Sequence, residues 1–202
     1  MAPGRNIEKK EEVNVNNYST SQEEFWAGEF GDDYINRNQG ADWVASNTAL
    51  FSKVIDRTGK LGSAIEFGAN IGLNLQAIQN LLPDCELFGV EINHAAVEEL
   101  NKIRNITTFE QSLFDFKPQR QFELSLIKGV LIHLNPEKLS EAYRLLYESS
   151  SKYICIAEYY NPSPVEVSYR GHSDKLFKRD FAGEMMDTYP DLKLVDYGFV
   201  YH

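Results

Sequence analysis

The stretch Ala64-Ile65-Glu66-Phe67-Gly68-Ala69-Asn70-Ile71-Gly72 holds residue types and a spacing that suit ligand chemistry. An apolar run ends at an acid and passes at once into a glycine-rich turn. Glycine tolerates positive φ and leaves room for a ligand. Asparagine is the best non-glycine visitor to the left-handed region. Asn70 therefore keeps the turn, while its side chain fills the space that a dinucleotide's pyrophosphate needs. Glu91 follows 23 residues after Gly68. An acid there suits the two hydroxyls of an adenosine ribose. The pair predicts an adenosine ligand and does not separate NAD from S-adenosylmethionine.

The elements that must position these residues alternate. Strands are predicted over 63–67, 87–92, 106–111, within 122–131, over 153–160 and over 192–201. Helices are predicted over 71–82, ended by Pro83, over 94–103, capped by Asn93, and over 179–189, ended by Pro190. Asn135-Pro136-Glu137 starts another helix, with Leu139, Ala142, Tyr143, Leu146 and Tyr147 as its apolar face. Strand–helix alternation means an α/β sandwich with a mostly parallel sheet. Its ligand crevice lies beyond the strand C-termini, so the residues after strands one to five are the ones to examine. Before the first strand, residues 23–38 read as a short helix with loops. Trp43, Asn47, Leu50, Phe51 and Val54 then recur at helical spacing. Residues 1–19 read as a disordered or loosely attached tail and 20–202 as one domain: a helical cap over 20–60 and a core over 61–202.

Bulk properties bound the function. The chain has 202 residues, 43% hydrophobic and 25% charged, which is globular. A net charge of −10 argues against a nucleic-acid partner. No apolar run approaches the roughly 20 residues of a membrane span, and no signal peptide is visible, so a cytoplasmic location is expected. Cys85 and Cys155 read as reduced structural thiols. His94, His133, His172 and His202 lack metal-ligand spacing, so no metal is expected.

Glu66 to Gly72 resembles the first motif of class I S-adenosylmethionine-dependent methyltransferases, and Glu91 resembles their ribose acid. The resemblance covers roughly Ile65 to Phe199. Four strings, FWAGEFGDDYINRN, EFGANIGLNL, KGVLIHLNP and AEYYNPSPVEVSYRGHSDKLFKRDFAGE, look more narrowly like a small methylase family associated with pseudaminic acid biosynthesis. The resemblance implies a Rossmann-like, doubly wound sandwich with helices on both faces. It implies methyl transfer to an oxygen or nitrogen of a small polar metabolite, such as a nonulosonic sugar acid or nucleotide sugar. It also implies a final antiparallel strand between strands five and six. The sequence stops at His202, directly after strand six, so that strand is trimmed, absent or supplied differently.

Carried over residue by residue, Glu66, Gly68, Asn70, Gly72, Glu91, Ile92 and Lys128 would hold the cofactor. Gln111, Ser112 and Leu113 would flank its adenine, and Tyr34 or Arg37 would reach its carboxylate under a lid containing Trp26. His133, just past strand four, would act as a general base or order the turn into the next helix. Glu158 and Tyr159 would orient or deprotonate the nucleophile. Tyr160, and Tyr169, Arg170 and His172 in the basic loop after it, would contact the substrate. The oligomeric state is not legible. Two rival readings remain: an NAD-dependent oxidoreductase, which Asn70 disfavours, and a non-catalytic cofactor-binding scaffold of the same fold.

Overall fold

The computed structural model describes residues 18–200. The expected tail lies outside the described residues except for Tyr18 and Ser19. Three helices come first: α1 (Ser21–Ala27), α2 (Glu29–Arg37) and α3 (Ala41–Thr58). Thr20 caps α1 by accepting from the Glu23 N–H, and Gly28 breaks the chain between α1 and α2. In α3, Asn47 and Phe51 face inward as their spacing requires.

The core alternates strand and helix: β1 (Ser63–Phe67), α4 (Leu73–Leu81), β2 (Glu86–Glu91), α5 (His94–Leu100), β3 (Ile106–Glu110), β4 (Phe122–Lys128), α6 (Leu139–Ser149) and β5 (Ser150–Ala157). The five strands are parallel, in the order β3-β2-β1-β4-β5. The order reverses between β1 and β4, so the crevice of this Rossmann-like, doubly wound sheet opens beyond Phe67 and Lys128. β1 is buried along its whole length, as a central parallel strand must be. Alternate residues feed opposite faces. Ile65, Phe67 and Ile127 join α6 and α7 (Phe181–Thr188) in one core; Ala64, Leu124 and Leu126 join α3 and α4 in the other.

Three features of the strands differ from expectation. β5 begins at Ser150 and ends at Ala157, not at 160, because its partner β4 runs out at Lys128 and turns away at Gly129, whose φ is +66°. The 161–180 loop contains a short antiparallel pair, β6 (Val165–Glu166) and β7 (Phe177–Lys178), that no periodicity announced. The sixth strand is not formed. Residues 192–200 make no strand, and Leu194, Val195, Tyr197, Phe199 and Val200 are 58–77% exposed. Alternation confers propensity, but a strand also needs a hydrogen-bonded neighbour. This segment is held instead by side chains: Tyr147 to Asp191 at 2.7 Å, Arg57 to Asp196 at 2.7 Å, and Phe199 edge-on to Tyr160 at 6.1 Å.

Candidate functional site

The turn after β1 takes left-handed backbone at every second residue: Gly68 (φ 73°), Asn70 (φ 47°) and Gly72 (φ 79°). The Gly68 and Ala69 N–H groups donate to the Val90 carbonyl, which ties the turn to β2. The Asn70 carboxamide oxygen accepts from the Ile71 N–H at 2.7 Å, so the side chain braces its own turn. A Cβ on Gly68 would lie 2.5 Å from Val130 Cγ2, and one on Gly72 would lie 2.5 Å from Leu100 and Ile103. The first glycine allows the β1 and β4 turns to meet, and the second allows α4 to close on α5.

Glu91 ends β2, nearly buried. Its carboxylate accepts from the backbone N–H of Asn70 (2.7 Å), Ile92 (2.8 Å) and Asn93 (2.8 Å). Burial pushes its pKa above the ordinary value, and the three N–H donors oppose that rise. Glu66 is fully buried beneath the turn. Burial pushes it up to about 8, against donation from Asn74 and the nearby Lys128 charge. One Glu66 oxygen accepts from Asn74 Nδ2 at 2.6 Å; the other, Oε2, has no partner.

Beyond β4 the chain turns at Gly129 into a short 3₁₀ turn, Leu131–His133. Glu158, just past β5, caps that turn: one oxygen accepts from the Val130 and Leu131 N–H groups, both at 2.9 Å. Burial raises its carboxyl to about 7. His133 is 7% exposed, and burial lowers its pKa to about 4. Its Nδ1 lies 2.6 Å from the Lys175 carbonyl oxygen. A carbonyl only accepts, so Nδ1 carries the proton and Nε2 keeps its lone pair.

The helical cap covers the crevice. Glu23 in α1 is nearly buried and accepts from Ser112, Ser19 and Thr20, joining the cap to the end of β3. Gln22 Nε2 donates to the Asp174 carbonyl, and Lys175 Nζ donates to Ser21. Asn93 Nδ2 donates to Asp32 (2.8 Å) and to the Trp26 carbonyl (3.2 Å). Trp26 packs against Tyr34 (5.2 Å) and His133 (4.6 Å), and His133 against Tyr169 (5.0 Å). Burial pushes the Tyr34 phenol up to about 12, with Tyr169 and Tyr159 adding to the rise.

Together these parts line a cavity that opens to solvent. Gly68, Asn70, Glu91, Ile92, Gln111, Ser112, Leu113, Lys128, Tyr34, Trp26 and His133 line it. Several other residues singled out from the sequence do not. Glu66 and Glu158 lie beneath it as braces, and Gly72 holds the turn from behind. Arg37 stacks on Phe30 (5.1 Å). Tyr159 and Tyr160 are 44% and 52% exposed, because β5 ends three residues early. Tyr169 and His172 form a β-bridge beside the aromatic cluster, and Arg170 between them is exposed with φ 50°. The loop's other cations are engaged: Arg179 with Glu184 at 2.6 Å, and Lys178 over Tyr159 at 5.2 Å.

Asn38, at the end of the lid segment, lines the cavity too, as do Gln22, Glu23, Trp43, Asn47, Asn74 and Asn93, whose residue types and spacing pointed to no ligand. Only the four-residue spacing of Gln22 and Trp26 was available as a signal that both share one face of α1. Three residues that line the cavity carry a buried polar atom without a partner, Gln22 Oε1, Trp26 Nε1 and Asn74 Oδ1; so do Glu66, Thr108, Ser125, Ser149 and Glu158 away from it. Cys85 and Cys155 are free thiols, pushed by burial up to about 11 and about 12. Among the described residues no cluster of three or more His, Cys, Asp or Glu could hold a metal ion. No helix among them is long and apolar enough to cross a membrane.

No protein-family model matches the chain, and no curated protein does. Solved structures do. The sugar N-methyltransferase KedS8 from Streptoalloteichus sp. superposes with TM-score 0.55 at 18% identity, over 85% of this chain and 68% of that one. The plantazolicin methyltransferase BpumL in complex with SAH matches with TM-score 0.56 at 18% identity, over 69% and 57%. Streptomyces venezuelae DesVI matches with TM-score 0.54 at 18% identity, over 71% and 66%. The chain thus spans between about half and two thirds of these three solved chains. At this identity the likeness establishes the fold.

Proposed function

We propose that the protein is an S-adenosylmethionine-dependent methyltransferase acting on an oxygen or nitrogen of a small polar metabolite. The observation that carries this reading is the pairing of the Gly68–Gly72 turn with buried Glu91 at the point where strand order reverses. The residues fit the cofactor. Glu91 Oε2 accepts a single N–H and keeps one acceptor site for a ribose hydroxyl. Leu113 and Phe114 offer apolar walls for adenine beside Gln111 and Ser112. Asn70 occupies the room a pyrophosphate would need, which weighs against a dinucleotide.

When bound, the sulfonium supplies an electrophilic methyl whose carbon–sulfur bond breaks as the acceptor's lone pair bonds to carbon. The chain's own residues align that approach and exclude water. Neutral His133 offers Nε2 as a hydrogen-bond acceptor, and as a base for the proton the acceptor sheds. The finer reading places the acceptor in nonulosonic, pseudaminic-type sugar biosynthesis. It rests on the four sequence strings quoted above, with support from KedS8 being a sugar N-methyltransferase of like fold.

Calorimetric titration with S-adenosylhomocysteine and NADH tests the cofactor. Binding of the former alone is expected, and binding of NADH alone would overturn the reading. Methyl release from labelled cofactor across sugar intermediates tests the activity; silence with tight cofactor binding would favour a sensor or scaffold.

A further inference from the structure

Asn93 lies at the seam between the helical cap and the core, and its one side chain serves three helices. It is buried. Its carboxamide oxygen accepts from the Ala96 N–H at 2.8 Å, which caps the N-terminus of α5. Its Nδ2 has two hydrogens to give. Asp32 Oδ1, in the first turn of α2, lies 2.8 Å from it, and the Trp26 carbonyl lies 3.2 Å from it. That carbonyl belongs to the last turn of α1, where a helix has run out of internal donors. The Asn93 backbone N–H donates to the Glu91 carboxylate at 2.8 Å. Asn93 thereby connects the acid that ends β2 to α1 and α2 of the cap.

Packing at the same seam points the same way. A Cβ on Gly31 in α2 would lie 2.0 Å from the Trp26 carbonyl oxygen and 2.7 Å from Asn93 Nδ2. Gly31 has no positive φ, so close approach alone leaves no room for a side chain there. Trp26, Gly31 and Tyr34 line the cavity on the cap side of this seam, and Glu91, Ile92 and Asn93 line it on the core side. A ligand between them touches both sides only while the seam is shut. Helix capping alone does not account for the arrangement. Serine and aspartate cap a helix N-terminus about as well as asparagine, but neither has the amide N–H groups that reach across to the cap.

We infer that Asn93 is a latch: a positioning residue that holds α1 and α2 shut over the crevice and couples closure of the cap to occupation of the cavity. A ligand that needs the shut cap binds more weakly in proportion to the fraction of molecules that are open. Linkage makes the coupling mutual, so a bound ligand must also slow the opening of the cap. The choice of ligand in the test rests on the methyltransferase reading; the latch itself does not.

The test uses the full chain. Asn93→Asp keeps a side-chain oxygen for the Ala96 N–H and sets a carboxylate, in place of the donor, against Asp32 and the Trp26 carbonyl. Hydrogen exchange in α1 and α2 should quicken about tenfold or more, while α5 and β2 keep wild-type protection. Gly31→Ala should give the same pattern through contact alone. S-adenosylhomocysteine should slow exchange in α1 and α2 of the wild type, and calorimetry should find its affinity about tenfold weaker in Asn93→Asp. Adding Asp32→Asn to Asn93→Asp returns a donor to the seam and should recover part of both losses. Unchanged exchange in α1 and α2 of both single variants would overturn the latch. So would exchange quickened equally in α5 and β2, which would leave Asn93 a helix cap only. Wild-type affinity in Asn93→Asp, or no recovery in the paired variant, would overturn it as well. If the wild type fails to bind S-adenosylhomocysteine, the methyltransferase reading fails by itself, and exchange in the ligand-free protein still decides the latch.

Discussion

Glu91 carries two tasks, and a substitution separates them. Its carboxylate accepts three backbone N–H groups and faces the cavity. Glu91→Ala removes a charged hydrogen-bond acceptor from the ligand and should weaken S-adenosylhomocysteine by ~1–3 kcal/mol in calorimetry. It also strands the three N–H groups, so the melting temperature should fall. Glu91→Gln keeps an acceptor and should fall less on both measures. Unchanged affinity in Glu91→Ala would remove the ribose assignment. His133 separates similarly: His133→Ala should leave cofactor binding alone and lower turnover if Nε2 is the base, whereas equal turnover would leave it the task of ordering its turn.

Two positions tie neighbouring elements together. Gly72 begins α4 at φ 79°, and an alanine there would be strained and would meet Leu100 and Ile103 at 2.5 Å. Gly72→Ala should cost ~1–3 kcal/mol in urea denaturation. Stability within error of wild type would mean that α4 and α5 shift apart freely. The cap depends on Glu23, which holds Ser112 and the start of α1. Glu23→Ala should speed hydrogen exchange across α1 while β1 and β4 keep their protection. Slow exchange persisting in α1 would show that the aromatic packing of Trp26 suffices.

For the whole molecule, three buried titratable groups set opposite pH limits. His133 has its folded pKa lowered to about 4 from an ordinary 6.5. The unfolded chain binds that proton first, so stability falls as pH drops from 6.5 towards 4. Glu66 and Glu158 are raised from 4.5 to about 8 and about 7. There the unfolded chain loses its protons first, so stability falls as pH rises from 4.5 towards 7–8. Two carboxyls outweigh one imidazole above pH 4.5, so the ligand-free protein should melt highest near pH 4.5 and lose on the order of a few kcal/mol as pH rises towards 8. His133→Phe should steepen the fall between pH 4.5 and 6.5, and Glu66→Gln should flatten it. A fall that neither change alters would assign the pH dependence to other groups.

The strand–helix alternation, the β1 turn and the acid ending β2 were legible because each is local. Apolar periodicity, positive-φ residues and caps are written within a few neighbours of where they act. Gly68, Asn70 and Glu91 were therefore found together with the sheet that brings them into one crevice. The end of β5 was not legible, because strand length depends on the partner's length, and β4 lies more than twenty residues away in sequence. That shift of three residues took Tyr159 and Tyr160 out of the cavity and turned Glu158 into a cap. The apolar-rich run from Leu192 likewise lacked the neighbour that would make it a strand. Gln22 and Asn74 looked like ordinary polar residues; only packing of the helical cap and the β1 turn around the crevice buried each with one unspent hydrogen-bonding atom. The sequence by itself determined the fold class and the turn that suits an adenosine. Tertiary structure decided which polar atoms remain unsatisfied inside, because satisfaction is a property of three-dimensional neighbours and not of residue type.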